Sequence, residues 1–160
     1  MNIESIQQLL EGRPLPLLTP TAVYDPKLSA AIHQLDCPEP VKAGLLLWND
    51  DLDASHRLSQ QIGTATGSYW HGIMHRREPD YSNSKYWFRR VGPHPAFQAL
   101  AERARSEFGQ AAYLAGGRYD PFAFVDACEA GARLADQADL RRFQLLEFRV
   151  LLEYCLANES

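Results

Sequence analysis

The feature that most constrains the fold of this chain is the spacing of its apolar residues, which recur at intervals of three and four. That period places them along one side of an α-helix, whereas a half-buried strand requires alternation of apolar and polar residues. No segment of the 160 residues alternates convincingly in that way. The sequence therefore predicts an all-α fold of six to eight helices.

Proline and glycine divide the helical pattern into segments, since both residues punctuate helices. The predicted helices cover residues 2–11, 27–35, 41–62, 68–79 (capped by Ser68), a segment from Asp80 or Ser82 to Gly92, 95–108, 121–134 and 138–157. The proline-rich stretch "GRPLPLLTPTAVYDP" predicts an extended arm that lies over the surface. A chain of this length suits one globular domain, with a helix and arm in residues 1–26 and a helical core in 27–160.

The overall composition limits the class of protein. An apolar fraction of 46% and a charged fraction of 22% are ordinary for a soluble, folded protein. The formal net charge of −4 disfavours general nucleic-acid binding, which requires a broadly basic surface. Residues 71–94 nevertheless carry a net charge of +3, which favours a bounded anionic ligand or pairing with the protein's own carboxylates.

The spacing of the cysteines and the character of the N-terminal segment indicate the cellular compartment of the protein. Cys37, Cys128 and Cys155 are widely spaced and include no C-x-x-C pair, which argues against a disulfide framework or zinc knuckle. No signal peptide is visible at the N-terminus, and the apolar runs are too short to cross a membrane. We therefore expect a soluble cytoplasmic protein that does not bind membranes.

The stretch "SYWHGIMHRREPDYSNSKYWFRRVGPHP", residues 68–95, concentrates histidines, arginines and aromatic rings. On a helical wheel, His71, His75 and Glu78 form a row that lies away from the apolar stripe of their helix. A row of this kind is either a solvated polar face or the wall of a cleft.

The preceding helical segment brings a third histidine to this row. If "GTATG" joins two antiparallel helices, residues equidistant from Ala65 lie level, which places His56 level with Met74 and the adjacent His75. His56, His71, His75 and Glu78 would then form a site for a divalent first-row metal ion, because neutral imidazoles and one carboxylate suit such ions. Without a metal, His71 and His75 would serve as catalytic acid, base or hydrogen-bond donor.

Cations and an aromatic ring follow on the next helix. Lys85, Tyr86, Arg89 and Arg90 share the side opposite Trp87. Arginines beside an aromatic face suit a carboxylate, a phosphate or a flat ring, but such faces are also commonly solvated or paired with acidic helices. The predicted anion-binding residues are Arg76, Lys85, Tyr86, Arg89 and Arg90.

Arg77 falls in the middle of an apolar stripe, where a cation needs a partner. Two acidic residues within the apolar stripes of later helices are the candidates, Glu147 and Asp126. Such a pair would be structural, and it could also support the histidine row from behind.

The string W-H-x-I-M-H-R-R-E-P-D-x-x-N-x-K-Y-W-F-R, which begins at Trp70, resembles a hallmark of a family of uncharacterised bacterial proteins. The upstream "LLLWNDDLDASHRLSQQI" is similar to the stretch that precedes this string in that family. The resemblance covers roughly residues 45–97, about a third of the chain. The family has no assigned activity, so the resemblance implies no catalytic role for any residue.

Three functional hypotheses follow, and no nucleotide-binding, kinase or nucleophile-elbow motif decides between them. The leading hypothesis is a small-molecule pocket in residues 56–94 with histidine or metal-assisted chemistry on an anionic substrate. The second is a binding module without chemistry. The third is an ion-paired structural framework, including one for a dimer or larger complex.

Overall fold

The computed structural model describes residues 1–159, and the all-α prediction is confirmed there, since these residues contain no strand. They form nine α-helices and one short 3-10 helix, more than the six to eight predicted. The helices are α1 (Ile3–Glu11), α2 (Pro26–His33), α3 (Glu39–Trp48), α4 (Leu52–Ser59), α5 (Ala65–Arg77), α6 (Tyr81–Val91), α7 (Pro95–Phe108), the 3-10 helix (Ala112–Gly117), α8 (Pro121–Gly131) and α9 (Ala138–Asn158).

The predicted helix over residues 41–62 is wrong, because the chain turns sharply between α3 and α4. Asp50 adopts a left-handed backbone conformation with φ of 61°, which aspartate tolerates better than most residues. Its carboxylate is held by Arg13 and Arg77, at 2.7 and 2.6 Å. No proline or glycine marks this break, and the helical spacing of the apolar residues continues across it. The sequence pattern therefore predicted one helix where the structure has two.

The start of α5 also differs from the prediction. The helix begins at Ala65, where the Thr64 hydroxyl accepts a hydrogen bond from the Gly67 amide, so Ser68 is a buried residue inside the helix and not its cap. The predicted helix over 95–108 matches α7 at both ends.

Helix α5 lies at the centre of the molecule. Every residue from Thr66 to Arg77 is buried, and α3, α4 and α6 all pack against this helix. The indole of Trp70 lies so close to α3 that a Cβ on Gly44 would be 2.5 Å from the ring. A central helix has no solvated side, so its polar residues must find partners within the protein.

The proline-rich arm, residues 12–25, is not helical, but it does not lie free on the surface as predicted. Leu18 is buried in the core. The carbonyl of Leu17 accepts a hydrogen bond from Arg77 at 2.9 Å, and that of Pro16 accepts one from Arg141 at 2.9 Å. The arm is therefore part of the packed structure.

The structure also bears on the cysteines and on membrane association. Cys128 and Cys155 are buried thiols, as the sequence predicted, and Cys37 is also unpaired. Among the helices within residues 1–159, none combines the length and the apolar character needed to cross a membrane.

Candidate functional site

Three histidines meet between α4 and α5. The ring centroid of His56 lies 4.7 Å from that of His71 and 5.4 Å from that of His75. The rings of His71 and His75, one helical turn apart, stack at 4.8 Å. One nitrogen from each ring lies within 4.8 Å of the other two. The hairpin around Ala65 therefore brings the three residues together as the sequence predicted.

Burial keeps two of these imidazoles neutral. Burial, followed by the neighbouring rings of His75 and His56, lowers the pKa of His71 from 6.5 to about 3. Burial and the nearby His75 also lower the pKa of half-buried His56, against an opposing effect of Glu78. Both rings are thus uncharged at neutral pH, which is the form of imidazole that ligates a metal.

The hydrogen bonds of the cluster leave most of its ring nitrogens free. Within residues 1–159, only Nδ1 of His75 is engaged: it lies 2.5 Å from Glu78 Oε1 and 3.4 Å from Asn83 Nδ2. Nδ1 of His71 is buried without any partner in the described chain. Since a carboxylate accepts, Nδ1 of His75 donates this hydrogen bond to Glu78, and Nε2 makes no hydrogen bond within residues 1–159.

Glu78 thus occupies a different place from the one predicted. It does not join the nitrogens of the three histidines as a fourth member but contacts His75 from the Nδ1 side, together with Asp80. A carboxylate in this position fixes the tautomer and orientation of an imidazole.

The cluster opens into a groove of about 640 Å³. The residues that line it are His56, Gln60, Gln61, His71, His75, Asn83, Tyr86 and Trp87. Trp87 is half-buried and stacks on His71 with ring centroids 3.7 Å apart and planes 15° from parallel.

Trp87 and Asn83 were not among the predicted site residues, since Trp87 was assigned to the buried side of α6. A signal for both exists in the sequence. Counting outward from Pro79, as from Ala65, pairs position 71 with 87 and position 75 with 83. Helices α5 and α6 do form such a hairpin, and the Ser84 hydroxyl donates a hydrogen bond to the Gly72 carbonyl at 2.6 Å.

The residues of the predicted cationic face of α6 do not all lie at one site. Tyr86 and Trp87 line the histidine groove, and Arg90 lies beside them, 6.0 Å from the ring of exposed Tyr86 and 5.3 Å from that of Trp87. Lys85 instead pairs with Asp126 of α8 at 2.5 Å. Arg89 lies in another groove, which α6 shares with the 3-10 helix and α8.

Arg76, predicted to bind a ligand, is buried instead and pairs with Glu147 at 2.7 Å. Burial alone would lower the pKa of Arg76, but the Glu147 carboxylate raises it above its ordinary value. The hydroxyls of Tyr69 and Tyr119 also donate to Glu147, at 3.0 and 2.6 Å. A buried cation with these partners has no access to a surface ligand.

Arg77 is buried, as the wheel predicted, but its partner is neither Glu147 nor Asp126. It donates to Asp50 and to the Leu47 carbonyl, both at 2.6 Å. Burial lowers the pKa of Arg77 to about 10, although Asp50 opposes the shift. Asp126 is an exposed residue of α8. The predicted partner was wrong because Asp50 lies in the turn between α3 and α4, and the sequence pattern predicted a continuous helix there.

No protein-family model matches this chain, and neither the curated proteins nor the solved structures include one with significant similarity to it. The resemblance over residues 45–97 stays a prediction from the sequence.

Proposed function

We propose that the protein binds a divalent first-row metal ion through His56, His71 and His75 and presents it to a small anionic molecule in the groove. The observation that carries this proposal is the convergence of three imidazoles, with one nitrogen of each within 4.8 Å of the other two and with Nδ1 of His71 buried without a partner in the described chain. Three protein nitrogens leave coordination positions open, which is typical of a catalytic metal rather than a structural one.

The spacing of the nitrogens supports the fit of such an ion. In tetrahedral coordination, bonds of about 2.1 Å place two ligating nitrogens about 3.4 Å apart. The three nitrogens lie within 4.8 Å of one another, so binding requires them to approach by up to about 1.4 Å. Half-buried His56, on a separate helix, can supply this by rotating its side chain.

The bound ion would supply Lewis-acid polarisation of a ligand at its open positions. The protein's own residues have other tasks. Glu78 holds His75 in the ligating tautomer, and Trp87 fixes the plane of His71 by stacking. Asn83 offers an amide to a polar ligand, while Arg90, beside the groove residue Trp87, attracts an anion.

Metal binding is tested on full-length protein purified without a histidine tag or chelator. We expect about one equivalent of metal by elemental analysis, and calorimetric titration of zinc into stripped protein should give saturable binding. His56→Gln should weaken zinc binding by about a hundredfold or more, and Glu78→Gln by about 10–100-fold because His75 loses its orienting carboxylate. His33→Gln is the control, since His33 is exposed and outside the cluster.

A chain that holds far less than one equivalent and takes up none of the added zinc, manganese, nickel or cobalt would reject the metal proposal. Equal zinc affinity in His56→Gln and His33→Gln would reject the assigned ligands even if some metal binds.

The non-catalytic framework is the second candidate, and a specific observation favours it. The buried pairs Arg76–Glu147 and Arg77–Asp50 tie α5 to α9 and to the α3–α4 turn. Buried pairs of this kind specify packing more than they add stability. A normal thermal transition that no metal and no anion shifts would favour the framework over the metal-dependent pocket.

A further inference from the structure

A second groove lies away from the histidines, where α6 and α7 meet the loop that precedes α8. It consists of two adjoining depressions of about 510 and 610 Å³, which share Phe97, Arg118 and Tyr119 as a common wall. It has no lining residue in common with the histidine groove. Depressions of this size accommodate metabolite-sized ligands.

Three arginines from separate elements line this groove: Arg89 from α6, Arg105 from α7 and Arg118 from the loop. All three are exposed, and within residues 1–159 none lies within salt-bridge distance of a carboxylate. In a chain with a net charge of −4, three guanidinium groups without ion-pair partners around one concavity favour an anionic ligand there.

The two carboxylates that line the groove already have hydrogen-bond partners. Asp120 caps α8 by accepting from the amides of Phe122 and Ala123, at 3.0 and 3.1 Å. Glu102 accepts from Gln98 at 3.2 Å. These bonds from neutral donors do not cancel the two negative charges, so the three arginines and two carboxylates give the lining a net charge of 3 − 2 = +1.

The wall between the depressions is aromatic and rigid. Tyr119 directs its hydroxyl inward to buried Glu147, at 2.6 Å, so its ring is fixed in place. Phe97 packs edge-on against it with centroids 5.4 Å apart, and half-buried Phe122 continues the apolar surface. Gly116 and Gly117, at φ of 68° and 72°, close one side with backbone alone.

We propose that this arginine–aromatic groove binds a planar ring that carries a phosphate or a carboxylate. The ring packs against Phe97, Tyr119 and Phe122, and the anionic group accepts hydrogen bonds from the guanidinium groups. Guanidinium groups match both anions geometrically, and fixed aromatic rings provide a stacking surface at little entropic cost. The site is independent of the proposed metal site.

The experiment titrates the full-length chain with two ring-bearing anions, adenosine monophosphate and indole-3-acetate, and with their neutral counterparts adenosine and indole. We expect at least one anion to bind saturably by calorimetry, and at least about tenfold more tightly than its neutral counterpart. Arg105→Gln and Arg118→Gln should each weaken the binding of that anion about tenfold. Arg103→Gln is the matched control, because Arg103 lies on the same helix as Arg105 but pairs with Glu153 at 2.5 Å.

Which of the two anions binds identifies the preferred combination of ring and anionic group. Four results overturn the proposal: no anion binding stronger than about 1 mM, equal binding of the neutral counterparts, equal affinities in all three arginine variants, or loss of anion binding in His56→Gln alone. The last result would assign the ligand to the histidine groove. Thermal melts of the variants verify that each one is folded.

Discussion

Among the single residues of this protein, His94 shows how local hydrogen bonds fix a protonation state. Its Nδ1 accepts the amide of Ala96 at 3.0 Å and so caps α7. An accepting nitrogen holds no proton, so the ring is neutral and Nε2 donates to the Thr66 hydroxyl at 3.0 Å, which in turn donates to Glu159. Burial lowers the pKa of His94 from 6.5, although Glu159 opposes the shift.

This arrangement predicts a pH dependence of stability. Below about pH 6.5 the unfolded chain binds a proton at His94 that the folded chain excludes, so the free energy of unfolding falls as the pH falls. His94→Asn keeps a cap acceptor but does not titrate. We expect the variant to be less stable at about pH 8, and the difference to narrow toward about pH 5 in urea titrations.

The matched control is His33→Asn, an exposed histidine whose replacement should leave the pH profile unchanged. Parallel profiles for wild type and His94→Asn would contradict the assigned protonation state.

Pairs of helices show which contacts follow from the sequence. Counting outward from a turn places His56 beside His75, and the same count around Pro79 would have placed Trp87 on His71. Such counting works only for adjacent antiparallel helices. The wheel predicted that Arg77 is buried, but its partner Asp50 lies in a turn that no proline or glycine marks. Arg76 is buried between Glu147 of α9 and the ring of Phe124 of α8, contacts between elements that are distant in the sequence.

The crossing of α3 and α5 gives a prediction about helix packing. A Cβ on Gly44 would lie 2.5 Å from the ring of Trp70, which is fully buried and cannot move aside. Gly44→Ala should therefore lower the free energy of unfolding by about 1–3 kcal/mol, measured by urea denaturation. In Gly63→Ala the added Cβ meets nothing within 4 Å, so this variant should match wild type. A Gly44→Ala protein as stable as Gly63→Ala would mean that the helices cross at a greater distance.

Across the whole molecule, the N-terminal arm joins elements that are distant in sequence. Arg141 of α9 donates to the carbonyls of Leu15 and Pro16, and Arg77 of α5 donates to that of Leu17. The all-α class was predictable because the period of the apolar residues reports it directly. The packing of the arm against the helices was not predictable. The arm is held through its backbone carbonyls, and every residue has a carbonyl whatever its side chain, so the sequence does not show which ones accept hydrogen bonds.

Loss of the Arg141 anchor should loosen the arm. Arg141→Met should make residues 12–25 at least about tenfold more sensitive to a protease that cleaves at leucine or tyrosine, because two charge-assisted hydrogen bonds are lost. Arg142→Met is the neighbouring control, since Arg142 pairs only with surface residues Glu107 and Asp139. The first cleavage sites are mapped by mass spectrometry. Equal cleavage rates in the two variants would show that the other contacts of the arm, including buried Leu18 and the Arg77–Leu17 hydrogen bond, hold it without Arg141.

The stack of Trp87 on His71 has an optical consequence. Trp48 and Trp70 are enclosed in the core, whereas Trp87 is half-exposed, so its emission should lie at longer wavelengths and be separable from theirs. Protonation of His71, or its binding to a metal ion, would change how strongly this imidazole quenches the fluorescence of Trp87. The fluorescence of the unlabelled protein therefore reports directly on the state of its histidines.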